Sequence, residues 1–102
     1  MAERRELRLE RWNMLSNELK VATEIEAIGE VGEIPYFNKI ADSLSKKGMK
    51  KTAVHGAVNR LIDLGTIDAK WEQLNNHSWV RRLYLYGETK DFVQGLNKTL
   101  YR

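Results

Sequence analysis

Apolar residues recur at three- and four-residue steps along the first quarter of the chain. That spacing places them on one face of an α-helix. Trp12, Leu15, Leu19, Ala22 and Ile25 form one stripe, and Leu7, Met14, Val21 and Ile28 form a neighbouring one. No Gly or Pro interrupts the segment before Gly29. The pattern therefore predicts one long N-terminal helix from about Glu3 to Ile28. At 1.5 Å per residue it would span about 39 Å. A core of this size cannot cover that length, so the surplus around Leu7, Leu9 and Trp12 predicts burial against a second copy.

Glu33-Ile34-Pro35 reads as a short extended link. Pro35 suits the first turn of a following helix, where a missing N–H costs nothing. Phe37, Ile40, Ala41 and Leu44 mark that helix, which ends near Gly48. Val54, Ala57, Val58, Leu61 and Leu64 mark another, stopped by Gly65. The period then changes to two: Ile67, Ala69 and Trp71 alternate, as do Trp79, Leu83 and Leu85 apart from Arg81. A polar stretch, residues 74–78, separates the two runs and predicts a β-hairpin. Phe92, Val93, Leu96 and Leu100 give the apolar face of a last helix from about Thr89 to Tyr101. The expected fold is α+β and mostly helical, in one domain over 1–102. It comprises a long N-terminal helix at 1–28, two helices and a hairpin at 34–86, and a C-terminal helix at 88–102.

Composition narrows the function classes. There are no cysteines, which removes disulfides and thiolate metal sites. No apolar run approaches the roughly 18 residues of a membrane span, and Glu3, Arg4, Arg5 and Glu6 open the chain without a signal-peptide pattern. These features predict a cytoplasmic protein. The net charge is only +3, but it is segregated. Glu18, Glu24, Glu26, Glu30 and Glu33 face a single Lys20 between 18 and 33, whereas five basic residues and no acidic one lie between Lys46 and Arg60. Two electrostatic faces are expected.

The basic stretch Lys46-Lys47-Gly48-Met49-Lys50-Lys51-Thr52 is the main candidate for chemistry. Lys46, Lys47, Lys50 and Lys51 surround a turn that opens a helix, where free N–H groups also favour phosphate. On that helix Thr52, His55 and Asn59 lie opposite the apolar positions, and each can hydrogen-bond a base edge in a major groove. Gly56 among them invites close backbone approach. Arg60 follows on the same helix. Asn76 and His77 at the hairpin tip, with Arg81 and Arg82 behind them, extend the expected DNA contact. Alternation along a strand turns Arg81 and Arg82 to opposite faces, so one of the two is expected to touch DNA.

Other site classes find little support. His55 and His77 are the only histidines and lie 22 residues apart, so no metal site is expected. No phosphate-binding glycine loop, nucleophile elbow or convergent acid–base set points to an enzyme or a cofactor. The carboxylates of the first helix are expected in solvent, and the tryptophans in core or dimer packing. Tyr84 and Tyr86 share a hairpin face, which leaves room for a small-molecule effector against the first helix.

The chain resembles the winged helix-turn-helix transcriptional regulators of bacteria and archaea, of the PadR-like and MarR-like kind, over residues 34–100. The resemblance rests on Ile34–Leu44, on Arg60-Leu61-Ile62-Asp63-Leu64-Gly65-Thr66-Ile67, and on Arg81-Arg82-Leu83-Tyr84-Leu85 leading into a final helix. It implies sequence-specific binding of double-stranded DNA by a homodimer, with the hairpin as a wing and a repressor's role. It also implies that the terminal helices build the dimer. Leu7, Trp12, Leu15, Leu19, Phe92, Leu96 and Leu100 are the candidate dimer contacts. The alternative is a winged-helix module that binds an acidic protein partner.

Overall fold

The computed structural model describes residues 6–101. Seven elements follow in order: α1 (Leu9–Asn13), α2 (Asn17–Glu30), α3 (Phe37–Lys46), α4 (Lys51–Asp63), β1 (Ile67–Gln73), β2 (Trp79–Leu85) and α5 (Gly87–Leu100). The architecture is α+β, with five helices and one two-stranded antiparallel sheet among the described residues. None of these helices is long and apolar enough to cross a membrane.

The expected long N-terminal helix is two helices, and the start expected at Glu3 lies outside the described residues. The break falls at residues 14–16 because Ser16 is in extended conformation and its hydroxyl accepts the backbone N–H of Leu19, 3.2 Å away. A serine that satisfies a free N–H of the next helix competes with continuation of the preceding one. The consequence is large. Instead of running out as a straight rod, α1 lets Trp12 enter the core, where it is 1% exposed. Met14, expected on an apolar stripe, is exposed. Leu7, Leu15 and Leu96 pack at the margin of the same core, and Leu100 is buried within it.

The core collects Val21, Ile25 and Ile28 of α2, Phe37, Ile40 and Leu44 of α3, and Val54, Val58 and Leu61 of α4. These are the apolar positions that the three-and-four spacing marks. Ile67 and Leu83 close it from the hairpin. Leu64, expected on the buried face of α4, is exposed because the helix has already ended there. α5 lies on α2 through Val93, Asn97 and Leu100. The Asn97 amide donates to the Thr23 carbonyl at 3.2 Å, and Gln94 donates to Glu26 at 3.0 Å. Phe92, expected to share that inner face, points to solvent instead.

The turn between α3 and α4 has its own geometry. Gly48 has φ +93, the Met49 N–H bonds to the Leu44 carbonyl and the Gly48 N–H to the Ser45 carbonyl, both at 3.0 Å. This is the paired bond set that ends a helix at a left-handed residue, and Met49 and Leu44 supply its apolar contact. The motif turns the chain sharply and sets the start of α4. At the far end Leu7 and Tyr101 form an antiparallel bridge, and the Arg8 N–H reaches the Leu100 carbonyl at 2.6 Å. The extended link before α3 meets β2 in one further bridge, Tyr36 to Arg82.

Trp12 fills the space between α1, α2 and the α3–α4 turn. Replacing Trp12 with Ala should lower stability by about 4 kcal/mol. Denaturant unfolding should show this loss at every protein concentration, because the indole is buried within one chain. A loss that shrinks on dilution would place Trp12 between subunits instead.

Candidate nucleic-acid interface

α4 presents two chemically opposite faces. Val54, Ala57, Val58 and Leu61 are buried, while Lys51, Thr52, His55 and Asn59 are exposed. The N-cap, Lys50, makes no side-chain capping bond, so the first-turn N–H groups are left to solvent or a ligand. Lys46, Lys50, Lys51 and Arg81 form no ion pair among the described residues. Four free cations thus lie at the end of α3, the start of α4 and the adjoining strand.

The remaining predicted cations are engaged elsewhere. Lys47 Nζ lies 2.5 Å from Glu24 Oε2, and it also sits over the Trp12 ring at 5.5 Å. Glu24 is 1% exposed and takes a second bond from the Ser43 hydroxyl. Both Glu24 and Glu26 are buried, against the expectation that the carboxylates of the first helix lie in solvent. Lys47 therefore neutralises a buried charge rather than offering one outward. Arg60 pairs with Glu18, and its guanidinium folds back across Gly56, where a Cβ would meet Nη1 at 3.3 Å. The glycine makes room for this arginine. Hydrogen bonding to Arg60 is the main reason the Glu18 carboxyl titrates below its ordinary value of 4.5.

The hairpin divides its residues by parity. Ile67 pairs with Leu85, Ala69 with Leu83, Trp71 with Arg81 and Gln73 with Trp79, and these face the core side. Asp68, Lys70, Glu72, Val80, Arg82 and Tyr84 take the outer face. Arg81 and Arg82 do face opposite ways. Arg82 pairs with Glu72 at 3.4 Å and lies over the Tyr84 ring at 4.9 Å. Glu72 also accepts from the hydroxyls of Tyr36, at 3.4 Å, and Tyr84, at 3.2 Å. Burial is the main cause that raises the Tyr84 phenol above its ordinary value. The Tyr86 hydroxyl bonds Asp68 at 2.7 Å, which holds the Asp68 carboxyl down and pushes the Tyr86 phenol up.

At the tip, Asn76 Oδ1 accepts from the Ser78 N–H and hydroxyl, so it closes the turn; His77 has φ +66 and is exposed. Past the point where the core ends, Trp71 and Trp79 stand exposed on the inner side of the hairpin. They border a cleft of about 340 Å³ with Arg81, Lys51 and the stacked rings of His55 and Phe37. Core or dimer packing was the expectation for all three tryptophans; of these only Trp12 is in the core. Strict alternation around Arg81 was the signal that could have found this cleft. A smaller cavity of about 150 Å³ lies between α2 and the hairpin, beside Ile25, Pro35 and Tyr84. It is below the roughly 300–1,000 Å³ of ordinary ligand sites. No group of three or more His, Asp or Glu residues among the described residues could hold a metal ion.

No protein-family model matches the chain, and none of the curated proteins or solved structures matches it significantly. The functional reading therefore rests on the geometry.

Two outcomes follow from the ion pairs. Changing Lys47 to Ala strands the Glu24 carboxylate and should cost about 3 kcal/mol, the low end for breaking a buried pair because Lys47 keeps 20% side-chain exposure. Changing Lys51 to Ala should leave stability within about 0.5 kcal/mol. Thermal or denaturant unfolding of both variants checks the contrast. For Glu18, a depressed folded pKa means stability that is present above its ordinary value and lost as pH falls through the folded one. The stability difference between wild type and Arg60→Gln should thus be full above the ordinary value of 4.5 and shrink as pH falls below it, vanishing once the folded-state carboxyl is protonated. A difference that persists at the acid end would detach the effect from Glu18.

Proposed function

We propose that this protein binds double-stranded DNA sequence-specifically as a homodimer and acts as a transcriptional regulator, with repression the simplest mode. In this reading the fold is a winged helix, α4 enters the major groove by its N-terminal end, and the hairpin is the wing. One observation carries the proposal: the exposed polar face of α4 adjoins four cations with no acidic partner, while its opposite face is fully buried. Lys46, Lys50, Lys51 and Arg81 hold backbone phosphates. Thr52, His55 and Asn59 read base edges. Lys47, Arg60 and Arg82 drop out of the contact set because their charges are spent on Glu24, Glu18 and Glu72.

The dimer has narrower support than the apolar pattern alone suggested. The break before Ser16 removes the projecting rod that called for a second copy. Phe92 on α5 and Leu9 on α1 remain as exposed apolar residues on the terminal helices. The molecule measures 38 × 33 × 28 Å, so two copies side by side carry equivalent helices on the scale of one DNA turn, about 34–36 Å.

Salt dependence tests the proposal quantitatively. Four phosphate contacts per chain predict a slope of log K against log salt near −7 for a dimer, and about −4 for a single chain. Fluorescence anisotropy with duplex DNA gives the slope, and light scattering gives the particle mass. A slope shallower than about −2 rejects the DNA reading. A steep slope with a strictly monomeric particle retains DNA binding and removes the dimer. Failure to bind random duplex even at low salt favours the protein-binding module.

A further inference from the structure

We propose that the cleft between α4 and the hairpin seats an unpaired nucleobase, so that the protein prefers DNA carrying single-stranded bases beside duplex. The inference rests on the nucleic-acid reading above and adds to it the kind of DNA preferred.

The chain buries Trp12 to 1% exposure yet leaves Trp71 at 66% and Trp79 at 60%. Both lie on the inner face of the hairpin, diagonal to each other across the β1–β2 ladder. Neither indole makes a ring contact among the described residues. Facing them is the Phe37–His55 pair, with ring centroids 4.4 Å apart and planes tilted by 38°. Lys51 and Arg81 complete the rim, and no carboxylate lines the cleft. Open π-faces bracketed by two cations match a planar base joined to phosphate. Stacking on an aromatic side chain tolerates any base, because every base has a π-face. Lys51 is also one turn before His55 on α4, so the cleft is continuous with the helix face assigned to duplex contact. A base extruded from that duplex, or the first nucleotide past its end, has a short path into the cleft.

A second copy of the chain suits the cleft less well. An isologous contact there would bring the Lys51 and Arg81 charges of two protomers together without an acid between them.

The test compares three labelled DNAs at one salt concentration: a fully paired duplex, the same duplex with a central bubble of unpaired thymines, and oligothymidine alone. Anisotropy gives affinity, and the change in intrinsic emission on binding reports Trp71 and Trp79, since Trp12 emits too but is enclosed and out of contact with DNA. Wild type should bind the bubble about tenfold or more tighter than the paired duplex, with quenched tryptophan emission for the bubble and the single strand only. Trp71→Ala and Trp79→Ala should each erase most of that preference and leave paired-duplex affinity within about twofold. Trp71→Phe should retain part of it. Equal affinity of wild type for bubble and paired duplex overturns this inference and leaves duplex binding standing; that comparison needs no variant to fold. Absence of binding to all three DNAs overturns both readings. A dimer that dissociates on Trp71→Ala overturns the inference too, by assigning the cleft to a second copy.

Discussion

The contact among Trp12, Lys47 and Glu24 sets the position of everything around it. Glu24 is buried on α2, and a carboxylate there is tolerable only with a partner that brings charge and hydrogen bonds. Lys47 supplies that partner from the α3–α4 turn, and its ammonium lies over the indole of Trp12 from α1. Lys20 caps the same ring at 4.7 Å. Three segments far apart in sequence are thereby held at one point. Because Lys47 immediately precedes Gly48, fixing it fixes the direction in which the chain leaves the turn. The outward aim of Lys50, Lys51, Thr52 and His55 follows from that direction. Charge spent inside the molecule thus decides where charge is offered outside it.

Much of the fold was legible from apolar spacing. The buried positions of α3 and α4 appear directly in the sequence pattern, as does the hairpin. Two kinds of feature were not legible. The first is a local competition that spacing does not record: the Ser16 hydroxyl captures a backbone N–H and breaks a segment whose apolar periodicity runs on uninterrupted. The second is pairing at long range. Nothing near Glu24 in sequence announces a lysine 23 positions later, and nothing near Asn97 announces the Thr23 carbonyl. Periodicity reports how residues face their own element, whereas ion pairs depend on how elements meet.

The candidate site shows the same division. Sequence order sets Lys50 and Lys51 at the start of α4 beside its polar face, because a turn and its following helix are neighbours by construction. It treated the cations alike, whereas Lys47, Arg60 and Arg82 have an acid across from them and Lys46, Lys51 and Arg81 do not. It also placed in packing two tryptophans that are exposed. Trp71 and Trp79 alternate with the core residues of their strands, so they appear apolar and buried until the length of the hairpin is compared with the extent of the core beneath it.

Leu83 and Leu85 anchor β2 to the interior, and their parity dictates the orientation of every other residue on that strand. Arg81 is turned toward α4 because it sits two positions before Leu83, and Arg82 is turned away because it sits one before. Adjacent codons therefore answer to different demands. Changes at Trp79 and Arg81 retune what the inner surface meets, while Arg82 and Tyr84 maintain the hydrogen-bonded outer face through Glu72. A lineage can revise the first set without disturbing the second, provided the number of residues between the two strands keeps the same count.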